Sequence, residues 1–212
     1  SIGILGSGWQ ACTQLKAACS VRKIEFIKCY SPNPANRVNF AQEMTDVLGI
    51  EIMPVGSADD AVADVDIVMC STNSIEAVFF EKWMRPGLHV SSIKVPEIEQ
   101  AALMKASRVG LHFGQQRPDT VLASGLEPPD QRSGKGWAVN RTFNYDDCPK
   151  LPDMIMAEVK GRESDNETTC FINDMGLGLQ FAAAAGLAYR KAKEAGLGNE
   201  LPTDWFTEDV HP

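Results

Sequence analysis

The sequence predicts an α/β protein, a doubly wound parallel sheet with a C-terminal helical segment. Short apolar runs suited to buried strands alternate with segments whose apolar residues recur at helical spacing. Polar turns follow these runs at 31–33, 71–74 and 91–94. Strands and helices that alternate at these lengths form a parallel sheet, and ligands bind such sheets beyond the carboxyl ends of the strands.

The first twenty residues contain the clearest signal. An apolar run at 1–5 ends at Gly6-Ser7-Gly8 and passes into a helical segment that has Ala11 on its apolar face. Gly6 permits a sharp turn, Gly8 lets a pyrophosphate approach the backbone, and Ala11 lets the helix pack closely on the sheet. The free N–H groups of the helix would then face the phosphates. The pattern predicts a dinucleotide-binding Rossmann domain, and a purely structural glycine turn is the alternative.

The remaining elements follow along the chain. Asn33 can cap a helix that Pro34 begins and Gly49 ends. A short helix is expected to start near Ser57. Further strands are predicted at 24–30, 50–55, 66–70, 88–92, 108–113 and 168–172, and further helices at 96–105, 151–160 and 177–195.

Two regions are predicted: a nucleotide-binding domain over 1–150 and a C-terminal segment over 151–212 that completes it. Between 114 and 150 the periodicity gives way to an irregular excursion, which is typical of a functional loop or of a surface segment. Lys135 and Arg141 within it could meet an anionic ligand. The small side chains of the last helix favour a buried or interface position.

Composition argues against several classes of function. The net charge of −8 and the lack of a basic run argue against a nucleic-acid partner. No apolar run approaches the ~20 residues of a membrane span, and no signal peptide precedes the first strand. Six cysteines without C-x-x-C pairs indicate buried thiols in a reducing compartment, and three separated histidines argue against a metal site. We therefore expect a cytoplasmic protein without a bound metal.

Several motifs together carry a family resemblance. They are GSGWQA at 6–11, YSPNP at 30–34, ADVDIV at 63–68, WMRPGLHV at 83–90, GRES at 161–164 and TCFINDMGLGLQ at 169–180. In this order and spacing the chain closely resembles the ornithine cyclodeaminase/mu-crystallin family, except in the irregular stretch. The resemblance implies a dimeric, NAD(P)-dependent protein that exchanges hydride between nicotinamide and the carbon–nitrogen bond of an amino acid or imine.

The resemblance also implies which residues bind the cofactor. The pyrophosphate would contact Gly6, Gly8, Trp9 and Gln10, and the adenosine ribose would lie near Ser31, Asn33 and Arg37. The cofactor cleft would be lined by Thr72 and Asn73, with Ser92 and Lys94 after the fifth strand, and the nicotinamide would lie near Asp174 and Met175. The resemblance does not identify the catalytic residues in this chain.

Three departures from the family pattern bear on function. The family's N-terminal substrate domain is absent, so we expect the chain to be a fragment or a truncated form. Ser91 and Ser92 stand where cyclodeaminases have an aspartate, which disfavours ornithine cyclisation because a hydroxyl does not shuttle protons at neutral pH. No acid ends the second strand, and Arg37 suits a 2′-phosphate, which favours NADP over NAD. Alternatively, Arg37 is a solvent-facing helix residue.

Two hypotheses for function follow. The first is the nucleotide-binding part of an NAD(P)-dependent oxidoreductase that acts on an amino acid or imine, as a homodimer. The second is a non-catalytic protein resembling mu-crystallin that holds NADPH and a small ligand. The glycine turn does not separate them, because both need it.

Overall fold

The computed structural model describes residues 1–112, 143–173 and 178–206. Within these ranges, seven strands form one sheet in the order β3-β2-β1-β4-β5-β7-β6, and every neighbouring pair is parallel. The strands are β1 (Ile2–Leu5), β2 (Ile27–Tyr30), β3 (Ile52–Pro54), β4 (Ile67–Cys70), β5 (His89–Ser92), β6 (Arg108–Leu111) and β7 (Thr169–Ile172). The predicted doubly wound parallel sheet is confirmed.

The helices in the same ranges are α1 (Trp9–Val21), α2 (Pro34–Leu48), α3 (Ala58–Val62), α4 (Gln100–Lys105), α5 (Leu151–Ile155) and α6 (Gly178–Glu194). Local sequence explains the bounds of α2. The Asn33 side chain accepts the N–H groups of Ala35 and Asn36 at 2.9 and 3.3 Å. Gly49 ends the helix with a left-handed φ of 67°.

Two apolar clusters cover the two faces of the sheet. Successive side chains of a strand point to opposite faces, so Ile4 enters one cluster and Leu5 the other. Strand β4 divides in the same way, because Val68 and Cys70 join Leu5 whereas Met69 joins Ile4. Buried residues of α1 and α2 complete the Ile4 cluster, and those of α3 and α4 complete the Leu5 cluster. Helices therefore pack on both faces of the sheet.

The helix predicted at 96–105 is interrupted. A 3₁₀ turn at Val95–Glu97 comes first, and α4 begins only at Gln100. The carbonyl oxygen of Glu97 accepts the N–H groups of Val78 and Phe79 at 2.8 and 3.0 Å. Pairing with a distant segment thus replaces the continuous helix that the local pattern predicted.

The irregular stretch lies partly outside the described ranges, and Lys135 and Arg141 fall in that part. Its last residues are not a surface excursion. Tyr145 and Cys148 are only 5% and 7% exposed and belong to the Leu5 cluster. Lys150 also forms a parallel bridge with the last residue of β6. This end of the stretch is part of the core.

The chain beyond residue 150 contributes to the sheet. Helix α5 ends earlier than the predicted residue 160, because Ala157 adopts a left-handed φ of 58°. Strand β7 then enters the sheet between β5 and β6. By its internal contacts the chain divides into one unit of residues 1–174 and a second of residues 175–212.

The second unit contains α6 and a 3₁₀ turn at Thr203–Trp205. Apolar side chains on α6 are exposed, among them Phe181 and Tyr189. Trp205 and Phe206, after the helix, are exposed as well. Among the described residues, no helix combines the length and apolar character that crossing a bilayer requires.

Candidate functional site

The order of the strands creates a switch point next to β1. The chain runs outward from β1 to β2 and β3, then returns to place β4 on the other side of β1. The connections from β1 and β4 therefore leave in opposite directions, which opens a crevice at the carboxyl edge between them. The turn that contains Gly6 and Gly8 lies at this crevice.

Gly6 and Gly8 are glycines for different reasons. Gly6 has a φ of 112°, and a Cβ there would lie 2.2 Å from the carbonyl oxygen of Ser71, so a side chain is excluded by both strain and contact. Gly8 has an ordinary extended φ of −94°, and nothing lies within 4 Å of the position that its Cβ would take. The turn is therefore tightly packed at Gly6 and open at Gly8.

The amino end of α1 is available to a ligand. Among the described residues, no side chain caps α1, whereas Asn33 caps α2 and Ser57 caps α3. The first N–H groups of a helix have no partner within the helix, and its dipole makes that end attractive to anions. Trp9 and Gln10, the first two residues of α1, are exposed, Trp9 to 86%. These features fit a pyrophosphate at the turn.

The turns after β1 and β2 are joined by side chains. The Ser7 hydroxyl donates to the Ser31 hydroxyl at 2.9 Å, and the Ser31 hydroxyl donates to the Asn33 carbonyl at 3.3 Å. Nη1 of Arg37 donates to the Ser31 carbonyl at 3.0 Å, and its guanidinium lies 5.7 Å from the Tyr30 ring centre. Arg37 is thus held at the carboxyl end of β2 by these two contacts, while its side chain stays half-buried. Ser7 was not among the predicted site residues.

The turns after β4 and β5 are joined by Glu97. Its Oε1 accepts the backbone N–H and the hydroxyl of Thr72 at 2.6 and 2.7 Å, and its Oε2 accepts the N–H of Ile93 at 2.9 Å. Nζ of Lys94 donates to the Ser74 carbonyl at 2.8 Å, which joins the same two turns again. The sequence did not single out Glu97, since a lone glutamate after a proline resembles a solvated helix residue.

Further polar groups lie at this edge. The hydroxyls of Ser71 and Ser92 are buried and have no hydrogen-bond partner among the described residues. Asn73, in the turn after β4, is exposed. Asp174 and Met175, which the resemblance placed near the nicotinamide, lie outside the described residues. The structure thus brings the predicted residues after β1, β2, β4 and β5 to one edge of the sheet.

No described group of three histidine, cysteine or acidic residues could hold a metal ion. The six cysteines are free thiols, and four of them are buried. Burial raises the pKa of Cys29 to about 11 and that of Cys170 to about 12. These thiols are therefore protonated at neutral pH and act as small apolar side chains.

A cavity of about 940 Å³ opens at the opposite edge, among the amino ends of β4, β5, β6 and β7. None of the predicted site residues lines it. There His89 lies 2.8 Å from the Thr169 hydroxyl, and burial together with the nearby charge of Arg162 lowers the pKa of His89 to about 4. Nη2 of Arg162 donates to the carbonyls of Gly87 and Glu167 at 2.8 and 2.6 Å. Arg162 of the GRES motif at 161–164 thus bonds to backbone at the amino edge of the sheet, away from the crevice beside β1.

Comparison with known proteins agrees with this architecture. A Δ(1)-pyrroline-2-carboxylate reductase of Bacillus cereus is 28% identical over 204 residues, which are 93% of this chain and 59% of that protein. The structure of Thermococcus litoralis Δ(1)-pyrroline-2-carboxylate reductase in complex with NADH and L-proline superposes with a TM-score of 0.74 at 30% identity, over 94% of this chain and 60% of that one. The iminosuccinate reductase of Paracoccus denitrificans in complex with NAD⁺, at 22% identity and a TM-score of 0.71, has the same fold over 95% of this chain and 59% of that one.

The chain spans about three fifths of the length of these relatives. The model of the ornithine cyclodeaminase/mu-crystallin family matches residues 1–196, which is nearly the whole chain. The match confirms the resemblance drawn from the motifs. The chain belongs to the ornithine cyclodeaminase/mu-crystallin family.

Proposed function

We propose that the chain is the nicotinamide-nucleotide-binding part of a reductase that acts on the carbon–nitrogen double bond of an imine derived from an amino acid. The observation that carries the proposal is the turn after β1, which is open at Gly8 and leads into the uncapped end of α1. A cyclic imine carboxylate such as Δ(1)-pyrroline-2-carboxylate is the substrate class, since relatives with that activity are 28% and 30% identical to this chain.

Each part of the crevice has a task under this proposal. The first amides of α1 bind the pyrophosphate, and the lack of a side chain at Gly8 lets the phosphate oxygens come within hydrogen-bond distance. The linked turns of Ser7 and Ser31 border the adenosine ribose. Thr72 and Asn73 border the nicotinamide half. When bound, the reduced nicotinamide supplies a hydride to the imine carbon, and the protein orients the ring and excludes water.

Arg37 bears on the choice between NAD and NADP. No carboxylate ends β2, and the Arg37 guanidinium lies over Tyr30 beside the Ser31 carbonyl, where it can pair with a 2′-phosphate. The two complexes named above contain NADH and NAD⁺, so relatives with the same fold use the unphosphorylated nucleotide. We keep NADP as the proposal for this chain because of Arg37.

The C-terminal segment and the assembly are proposals as well. The exposed apolar side chains of α6, including Phe181 and Tyr189, suit packing against another domain or a second copy in a homodimer. Asp174 and Met175 would approach the nicotinamide, as the resemblance implies. A cytoplasmic location fits the four buried free thiols.

The test has two arms. The chain is titrated with NADH and with NADPH while the nicotinamide fluorescence is followed, and the full-length product of the gene is assayed with Δ(1)-pyrroline-2-carboxylate and other imines. We expect binding in the first arm and imine-dependent oxidation of the nucleotide in the second. Failure to bind either nucleotide refutes the proposal. Binding without turnover of any imine would favour the non-catalytic alternative, which gains no support from the reductases and dehydrogenases among the relatives.

A further inference from the structure

Glu97 is a fully buried carboxylate beside the proposed cofactor crevice, with 0% of the residue exposed. Burial of a carboxylate is costly unless hydrogen bonds compensate it. Here both oxygens are used, Oε1 by the N–H and hydroxyl of Thr72 and Oε2 by the N–H of Ile93. The side chain therefore connects two turns that are separate in sequence.

The Glu97 bonds lie just beyond the end of the hydrogen-bonded pairing between β4 and β5. The pairing of β4 with β5 stops at Cys70 and Ser92. Past these residues the Glu97 bonds to Thr72 and Ile93 join the two turns. The Glu97 carbonyl also accepts the N–H groups of residues 78 and 79, so backbone bonds fix the position of the carboxylate.

Thr72 lies between the Glu97 carboxylate and the turn after β1. Its hydroxyl donates to Glu97 and accepts the N–H of Ser74 at 3.1 Å, which fixes the side-chain rotamer. In this rotamer the Thr72 methyl lies 3.4 Å from the position that a Cβ would take on Gly6. The Thr72 methyl thus borders the space beside Gly6, and the N–H of Ser71, one residue earlier, donates to the Leu5 carbonyl at 2.8 Å, so the turn after β4 is joined to the end of β1.

We propose that Glu97 is a positioning residue, which presets the turns after β1, β4 and β5 for the nicotinamide nucleotide by orienting Thr72. The inference rests on the proposed function, since it assigns Glu97 a role in that same crevice. Glu97 is not a proton donor or acceptor for a substrate, because it is buried and its oxygens are occupied. The competing role is a brace that stabilises the fold without influencing the ligand.

The substitution Glu97→Gln separates these roles. A glutamine has one oxygen and one NH₂ group, so it cannot accept from Thr72 and Ile93 at the same time. We expect the folded variant to bind NADH about tenfold more weakly, because a turn that has lost its bond to residue 97 must be ordered again when the nucleotide binds. The matched control is Glu99→Gln, which removes a carboxylate that accepts the N–H of Glu81 at 2.7 Å, outside the crevice. The control should change the Kd for NADH less than twofold.

Thr72 provides an independent test if Glu97→Gln does not fold. Thr72→Val keeps the shape and removes the hydroxyl, whereas Thr72→Ser keeps the hydroxyl. We expect weaker NADH binding for Thr72→Val than for Thr72→Ser, because only the serine keeps the hydroxyl bond to Glu97. In the double variant of Glu97→Gln with Thr72→Val, the loss should be smaller than the product of the two single losses, because both remove one contact.

The outcomes of this experiment separate the inference from the proposed function. If Glu97→Gln lowers Tm but the folded protein binds NADH like the wild type, Glu97 is only a brace and the inference is overturned. Equal binding by Thr72→Val and Thr72→Ser would overturn it as well. If the wild type binds no nicotinamide nucleotide, the proposed function fails and the inference fails with it.

Discussion

Replacing Gly8 by alanine tests whether a pyrophosphate approaches the backbone at the turn after β1. In the folded chain the substitution has room, since nothing lies within 4 Å of the new Cβ. The backbone at Gly8 is extended, with φ of −94° and ψ of −173°, which alanine adopts without strain. The new methyl group would instead enter the space that the phosphate oxygens need.

The expected magnitudes differ for folding and for binding. Replacing glycine by alanine stabilises the folded protein by about 0.4–1 kcal/mol, because it reduces the conformational entropy of the unfolded chain. Alanine is a poorer helix N-cap than glycine by a similar amount. The free energy of unfolding should therefore change by less than about 1 kcal/mol. A methyl group between the phosphate and the amides would break one or two charge-assisted hydrogen bonds of about 1.5–3 kcal/mol each. The loss of about 2–3 kcal/mol corresponds to a Kd for NADH raised roughly 30- to 150-fold.

The assay combines NADH titration by nicotinamide fluorescence with urea unfolding followed by circular dichroism. Gly161→Ala is the matched control, because Gly161 also has nothing within 4 Å but lies by the cavity at the opposite edge. Gly6→Ala is the contrasting variant: its Cβ would lie 2.2 Å from the Ser71 carbonyl at a φ of 112°, so it should lose at least about 2 kcal/mol of stability. Unchanged NADH binding by folded Gly8→Ala would refute a pyrophosphate at this turn.

Three further predictions concern the cofactor preference, the pH dependence of stability and the start of α2. Arg37→Ala should raise the Kd for NADPH about tenfold and the Kd for NADH much less, since a guanidinium–phosphate pair contributes about 1.5 kcal/mol or more. Equal effects on the two Kd values in the fluorescence titrations would remove the argument for NADP. The pKa of His89 is about 4 in the folded protein and about 6.5 in the unfolded chain. Between these pH values the unfolded state binds more protons, so the free energy of unfolding falls as the pH drops from about 6.5 to about 4. Urea unfolding should show the wild type losing about 2 kcal/mol more than His89→Asn between pH 7 and 4.5, and parallel pH profiles would contradict this. Asn33→Ala should lower the free energy of unfolding by about 1 kcal/mol while Asn33→Ser restores most of it, and a loss of equal size in both variants would show that the cap is not the cause.

Local signals were sufficient for much of the fold. The cap at Asn33 and the stop at Gly49 set the bounds of α2, because both act within one helical turn. The glycines of the first turn indicated the switch point for the same reason, since Gly6 requires a positive φ that few other residues adopt. Where a distant segment competes, the local pattern failed, as at the interrupted helix around Glu97.

The sequence by itself determined the doubly wound sheet, the family and the glycine turn after β1, because strand and helix periodicity, caps and glycine turns are local properties of the chain. Only the tertiary structure decided that Tyr145 and Cys148 are buried, that Ser7 bonds to Ser31, and that Glu97 joins Thr72 to Ile93. The bonds of Ser7 to Ser31 and of Thr72 to Glu97 connect residues far apart in sequence, and they depend on the order in which parallel strands are placed side by side. No pattern within a single segment encodes that order, so the positions of such side chains emerge only when the sheet is assembled.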